Sequence, residues 1–201
     1  MTATLDSLAL AAEAQDLLFR EARTANAFTA EPVTDEQLRQ VYELVKWGPT
    51  AMNSQPLRVL LLRSQEARER LAPHMAEGNR EKTRTAPVVA VLAADADFPK
   101  HMATTFPHFP NAEQAFADEA ARAGMARTNA LLQVGYFIVG VRAAGLAAGP
   151  MSGFDAEGVR AEFFAGTARQ PLVVVNIGHA DESGYRPRNP RLDFDEAVRV
   201  L

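Results

Sequence analysis

Polar and apolar positions divide the chain into helical and extended segments. From Asp6 to about Arg23, Leu8, Ala11, Ala12, Gln15, Leu18 and Phe19 fall near helical spacing in a stretch rich in Ala, Leu, Glu and Gln, predicting a first helix. Thr34-Asp35-Glu36-Gln37 forms a capping box, and Leu38, Val41, Tyr42 and Val45 then make one apolar face of a second helix. Leu57 to Arg63 is an apolar extended run, after which Ser64-Gln65-Glu66 restarts a helix reaching about Leu71. Pro87 opens Val88 to Leu92, a wholly apolar run that reads as a central buried strand. Between Asp95 and Asn111 the periodicity fails among Pro99, Pro107 and Pro110. That predicts a long loop, either a lid walled by Phe98, Phe106 and Phe109 or a surface loop pinned by them.

Helical character returns at Ala112, with an acidic, alanine-rich part to Ala123 and, after Gly124, an apolar part to Ala144 that Gly145 ends as a left-handed cap. Gly135 and Gly140 allow another helix to approach this one closely, in a dimer contact or within a monomer core. Gly149-Pro150-Met151-Ser152-Gly153 reads as a tight loop where backbone can approach a ligand. Asp155 to Phe164 is a short amphipathic helix, and Pro171 to Ile177 a further apolar strand. Strands at 57–63, 88–94 and 171–177 separated by helices predict a single α+β domain over residues 1–201, with a buried sheet flanked by helices.

Composition narrows the chemistry. A net charge of −4 and a pI near 5.6 give no field suited to nucleic acid or an anionic membrane, so neither partner is expected. The chain has no cysteine, which removes thiolate nucleophiles and Cys-based metal sites. His101 and His108 are seven apart and lack a carboxylate pair at helical spacing, so no metal site is expected. No P-loop or GxGxxG turn occurs, and Gly149 and Gly153 stand at the wrong spacing from Ser152 for a nucleophile elbow. No basic leader precedes an apolar run, so a cytoplasmic location is expected. The most apolar stretch, Ala130 to Ala148, is interrupted by Gln133 and Arg142 and suits a core helix better than a membrane span.

One stretch stands apart. Gly48 and Pro49 end the second helix, and Thr50, Asn53, Ser54 and Gln55 then gather polar side chains before Pro56. Such residues suit a plain turn as well as a binding loop. Pro49-Thr50-x-x-Asn53-Ser54-Gln55-Pro56, however, resembles the P-[ST]-x-x-N-x-Q-P signature of the nitroreductase family. Arg23-Thr24-Ala25-Asn26-Ala27-Phe28, Gly149 to Gly153 and Pro187-Arg188-Asn189-Pro190-Arg191 follow the family order over nearly the whole chain. Within the family, Phe19 to Thr24, Lys46 to Thr50 and Gly149 to Asp155 are similar to a subgroup of malonic semialdehyde reductases of pyrimidine breakdown.

The resemblance implies a mostly antiparallel sheet flanked by helices and a homodimer binding FMN at its interface, with NADH or NADPH as transient co-substrate. It implies an oxidoreductase working by ping-pong hydride transfer, reducing malonic semialdehyde to 3-hydroxypropionate. The alternatives are reduction of nitroaromatics, quinones or enones, or flavin binding without turnover. Carried over residue by residue, it makes Arg23, Thr24, Asn26, Arg188 and Arg191 candidates for the FMN phosphate. Pro49, Thr50, Ala51, Asn53 and Gln55 become candidates for the flavin edge, with Lys82 at its pyrimidine side and Pro150, Met151, Ser152 and Gly153 beside the hydride-accepting nitrogen. Arginine suits phosphate because its planar donor fork matches the oxygens. Read alone, Arg23 also suits a solvated helix end, Lys82 a surface lysine, and the basic tail a solvated turn. The sequence departs from the family at Asn26, where a second basic residue is usual, and at Ser152, where classical members often carry glutamate.

Overall fold

The computed structural model describes residues 8–201. Its four-stranded sheet has the order β1 (Leu57–Leu62), β2 (Val88–Asp95), β4 (Arg169–Gly178), β3 (Ala147–Met151), and every neighbouring pair is antiparallel. The fold is α+β, as the sequence predicts, and every residue of β2 is buried. Alternation along β2 explains why: Val88, Ala90 and Leu92 face one helical layer, Val89, Val91 and Ala93 the other. On the first face, α2 (Asp35–Val45) and α7 (Glu119–Ala143) supply Val41, Phe137 and Val141. On the second, α3 (Gln65–Leu71) and α8 (Ala156–Phe163) supply Leu71 and Val159, with α4 (Glu77–Thr85) lying beside α3.

Local signals set these elements. The Thr34 hydroxyl accepts from the Gln37 N–H at 3.1 Å while the Gln37 side chain accepts from the Thr34 N–H at 2.8 Å, so the capping box starts α2. Gly145 takes φ +75°, which lets the Leu146 N–H return to the Val141 carbonyl at 3.1 Å and close α7. Pro171 is tolerated in β4 because the register with β2 shifts there: Leu92 pairs with Val173 but Ala93 with Pro171, leaving Leu172 as a bulge.

Four expectations need correction. The first helix is shorter than 6–23: α1 (Ala12–Gln15) widens into a π-helical turn over Asp16–Arg20, so Arg23 lies beyond the helix, and the predicted start at Asp6 lies outside the described residues. The segment after β2 is not an unstructured loop. A 3₁₀ turn at Phe98–His101 and α5 (Met102–Thr105) bury Phe98 and Met102 in a third cluster against Ala126 and Ala130 of α7, and Phe98 meets Phe116 edge-on at 5.2 Å. The break in the long helix is not at Gly124 but after α6 (Ala112–Ala115), and Asp118 starts α7 by accepting from the Ala121 N–H at 2.8 Å. Finally, Gly149, Pro150 and Met151 belong to edge strand β3 rather than a tight loop; an edge is where a sheet accepts proline. The chain closes with α9 (Phe194–Ala197).

Gly140 does permit a close helix approach, but the helix is α2 of the same chain: a Cβ at Gly140 would overlap Val45 Cγ1, whereas one at Gly135 meets nothing within the chain. Gly140→Ala should therefore cost about 1–3 kcal/mol by overpacking, despite alanine's better helix propensity. Urea unfolding of the variant checks this, and an unchanged or raised midpoint contradicts the packing.

Candidate functional site

The cleft is built where the two ends of the chain run alongside each other. Beyond α1, residues 25–29 pair with the edge of the sheet and with the residues after β4: the Ala25 N–H donates to the Ala148 carbonyl at 3.1 Å, Thr29 to His179 at 2.9 Å, and Asp181 to Ala27 at 3.2 Å. Gly149 must be glycine at this seam, because a Cβ there would stand 2.5 Å from the Ala25 carbonyl oxygen. The pairing continues through side chains. Arg23 donates to the Arg186 carbonyl and Arg188 to the Ala22 carbonyl, both at 3.1 Å, while Asn26 donates to the Gly184 carbonyl at 3.2 Å.

These contacts enclose a polar hollow of about 540 Å³, with α4 and the end of α7 as its other walls. Of the residues anticipated from the sequence, Arg23, Thr24, Asn26, Lys82, Arg188 and Arg191 line it together. Asn79, Arg142 and Arg186, which were not anticipated as ligands, line it too. The lining therefore presents cations from Arg23, Lys82, Arg142, Arg186, Arg188 and Arg191 and no carboxylate. Lys82 lies 3.3 Å from the Asn26 side-chain oxygen, and its pKa is held below the ordinary 10.5 by burial and then by the charge of Arg186. Behind it, fully buried Asn176 of β4 fixes α4 by donating to the Lys82 carbonyl at 2.9 Å, leaving its own side-chain oxygen unpartnered.

Within one protomer the other anticipated residues do not reach this cleft. Gly153 touches its border, accepting from Asn79 at 3.0 Å; Met151 is buried in the core and Ser152 is exposed beyond β3. The turn from Pro49 to Gln55 stands elsewhere. Met52, Asn53 and Gln55 all have positive φ (53°, 47° and 43°), a costly conformation for residues other than glycine. A network holds it: Asn129 of α7 accepts from the Ala51 N–H at 2.7 Å, Thr50 accepts from the Gln55 N–H at 3.2 Å, and Tyr136 donates to the Pro49 carbonyl at 3.1 Å. Asn53 donates to the Thr105 carbonyl at 2.7 Å and accepts from the Gln55 side chain at 2.8 Å.

Beside this turn is a second hollow of about 590 Å³ between α2, β1, α5 and α7, lined in part by Ser54, Gln55, Arg58, His101 and Phe137. It shares no lining residue with the cationic cleft. The sequence carried a signal for Arg142, a charge interrupting an apolar helix, and for Arg186, one of a cluster; Asn79 and Asn129 carried none. Among the described residues, no group of three His, Cys, Asp or Glu side chains could hold a metal ion, and no helix is long and apolar enough to cross a membrane.

Comparison with known proteins gives this arrangement a context. A Streptomyces coelicolor protein provisionally named an NADH dehydrogenase/NAD(P)H nitroreductase is 61% identical over 196 residues, spanning 97% of this chain and 100% of that one. In fold, the chain is similar to a Bacillus subtilis protein provisionally named a nitroreductase (TM-score 0.81, 24% identity, 94% of this chain and 99% of that one). It is similar also to a nitroreductase-like protein from Exiguobacterium sibiricum solved in complex with FMN (TM-score 0.80, 18% identity, 95% and 98%). The model of the nitroreductase family matches residues 19–179, which include the whole sheet and all of the turn, and the chain belongs to that family.

Proposed function

We propose that this chain is an FMN-dependent NAD(P)H oxidoreductase acting as a homodimer, with malonic semialdehyde as its substrate. The observation that carries the flavin reading is the carboxylate-free cluster of Arg23, Lys82, Arg142, Arg186, Arg188 and Arg191, gathered from distant parts of the chain around one hollow. So many like charges side by side repel one another, and a phosphate monoester is an anion of the right charge and donor demand to relieve them. The residues present therefore fit FMN. Arg23, Arg188 and Arg191 would hold its phosphate, Thr24 and Asn26 would add neutral donors, and Lys82 would face the pyrimidine edge, where a cation stabilises negative charge on the reduced ring. Bound there, FMN would supply two-electron hydride chemistry between NADH or NADPH and the substrate carbonyl, while these residues hold and orient it.

The dimer follows from what one protomer leaves unfinished. Asn53 and Gln55 lie in a rigid, strained turn outside the cleft, so the partner's copy of that turn is suited to complete the flavin site. The surface agrees: Trp47 is 80% exposed, and Tyr42, Leu44, Leu131, Leu132 and Phe194 also present apolar area that a twofold contact would cover. The choice of substrate is supported by the motifs at Phe19 to Thr24, Lys46 to Thr50 and Gly149 to Asp155. A second reading, reduction of nitro compounds, is favoured by the name of the S. coelicolor relative.

Purified protein should be yellow, bleach with NADH or NADPH under anaerobic conditions, and regain colour faster with malonic semialdehyde than with a nitroaromatic, a quinone or an enone. Faster recovery with a nitroaromatic selects the second reading; flavin that nothing reoxidises indicates a binding module, and a colourless protein that takes up no flavin removes all three. Sedimentation should show a dimer at micromolar concentration, and a monomer binding FMN at full affinity contradicts the shared site.

Replacing Arg23, Arg188 or Arg191 with alanine should weaken FMN binding by about 1.5–3 kcal/mol each, the worth of a hydrogen bond to a charged group, as measured by fluorescence titration. A triple variant retaining full flavin content contradicts the placement. Lys82 adds a pH limb. Its pKa in the free protein is depressed, so its cation is lost at lower pH than in an exposed lysine, and FMN affinity should fall as pH rises through that value. Lys82→Arg should move the limb to higher pH; an identical profile in both proteins shows that Lys82 makes no contribution.

A further inference from the structure

Two cations of the cleft, Arg142 and Arg186, have no role in the reading above, and of these only Arg142 is half-buried. Arg142, in the last turn of α7, lines the cleft together with Arg23 and Arg188 and also borders a smaller hollow of about 370 Å³ beside Asp16, Glu21, His179 and Tyr185. Half-buried, it donates through one terminal nitrogen to the Leu18 carbonyl at 3.1 Å, within the π-helical turn. Its Nε is buried with no hydrogen-bond partner, and among the described residues no carboxylate forms an ion pair with it. Burial disfavours its charge; Tyr185 opposes that effect and the nearby charge of Arg188 adds to it. A guanidinium does not escape such a position by losing its proton.

An uncompensated charge taken out of water costs stability. The Leu18 carbonyl offsets part of that cost as the negative end of a helix, but it occupies only one of the guanidinium's donors. Arg188 and Arg191 are exposed, so water and salt weaken their attraction for an anion, whereas Arg142 is screened less. We propose that Arg142 is the innermost ligand of the flavin's phosphate monoester and the residue that separates FMN from riboflavin, an assignment that rests on the FMN reading above. The unbound chain carries Arg142 as a destabilising charge, and the arriving phosphate compensates it. Function is then favoured locally at the expense of stability.

The test titrates FMN and riboflavin into apo wild-type, Arg142→Leu and Arg142→Lys proteins and records thermal unfolding of each without flavin. Arg142→Leu should lose about tenfold or more of its FMN affinity while riboflavin affinity stays unchanged, as for a charge-assisted contact made only by the phosphate. Arg142→Lys should recover part of the loss, and the apo leucine variant should melt no lower than wild type, because a costly charge has been removed. Equal losses for both flavins with a lowered melting temperature would show that Arg142 is a strut for Leu18, and unchanged FMN affinity in the leucine variant would exclude it from the site. Wild-type protein that binds neither flavin overturns the FMN reading and this assignment with it.

Discussion

Mutual repulsion among the cations of the cleft is the constraint around which the molecule is arranged. Arg23, Arg186, Arg188 and Arg191 lie on two segments without regular structure, and left alone those segments would separate. Hydrogen bonds to backbone carbonyls hold them. Each arginine that reaches across the seam spends a donor on the opposite backbone, Arg23 on Arg186 and Arg188 on Ala22, while main-chain bonds from Ala25, Thr29 and Asp181 tie both segments to the sheet. The guanidinium groups thus act as structural donors and still carry charge, with further N–H groups on separate nitrogens of a rigid fork. The requirement for Gly149 has the same origin, since the seam closes only if backbone meets backbone.

The sheet beneath is held by different means, and this decides how much of the fold could be read from the residues. Val88 to Ala94 is apolar on both faces, and the strand is buried throughout, so a central strand was legible without any partner being known. The capping box at Thr34 and the glycine at 145 were equally clear, because caps are local chemistry. β3 was not legible: Ala147 to Met151 contains Gly149 and Pro150, residues that signal a turn, and only the hydrogen bonds offered by β4 make it a strand. The same holds for Phe98 to Thr105. Its prolines suggested a loop, yet Phe98 and Met102 earn it a packed structure by filling the space beside Ala126 and Ala130 of α7. Gly124 looked like a break and was not, since a glycine in a long packed helix costs only about 1 kcal/mol.

The candidate site divides along similar lines. Thr24, Asn26, Arg23, Lys82, Arg188 and Arg191 were named from family motifs, and tertiary structure brings them to one hollow although Arg23 and Arg191 lie far apart in sequence. Arg142 and Arg186 belong to the same hollow but fall outside the motifs: a charge in an apolar helix and a basic cluster mark them in the sequence, and only the tertiary structure shows that they share the cleft. Asn129 is hidden for another reason. Its side chain supports the turn from within α7, so its role depends on the crossing of α7 and the α2–β1 connection rather than on any pattern along the chain.

That turn is where local preference and structure disagree most. Asparagine tolerates a left-handed backbone, but Met52 and Gln55 gain nothing from it, and the conformation survives only because Asn129, Tyr136 and Thr105 bond the turn from three sides. A turn held so firmly has little freedom to lose when another surface meets it, which lowers the entropic cost of association. The buried Ser54 hydroxyl, left without a partner, marks the same economy: backbone geometry is satisfied before side-chain hydrogen bonding. The turn borders a hollow that shares no lining residue with the cationic cleft. The cationic cleft and the turn are therefore built separately, the first by hydrogen bonds to backbone opposing repulsion and the second by a bonded scaffold opposing strain.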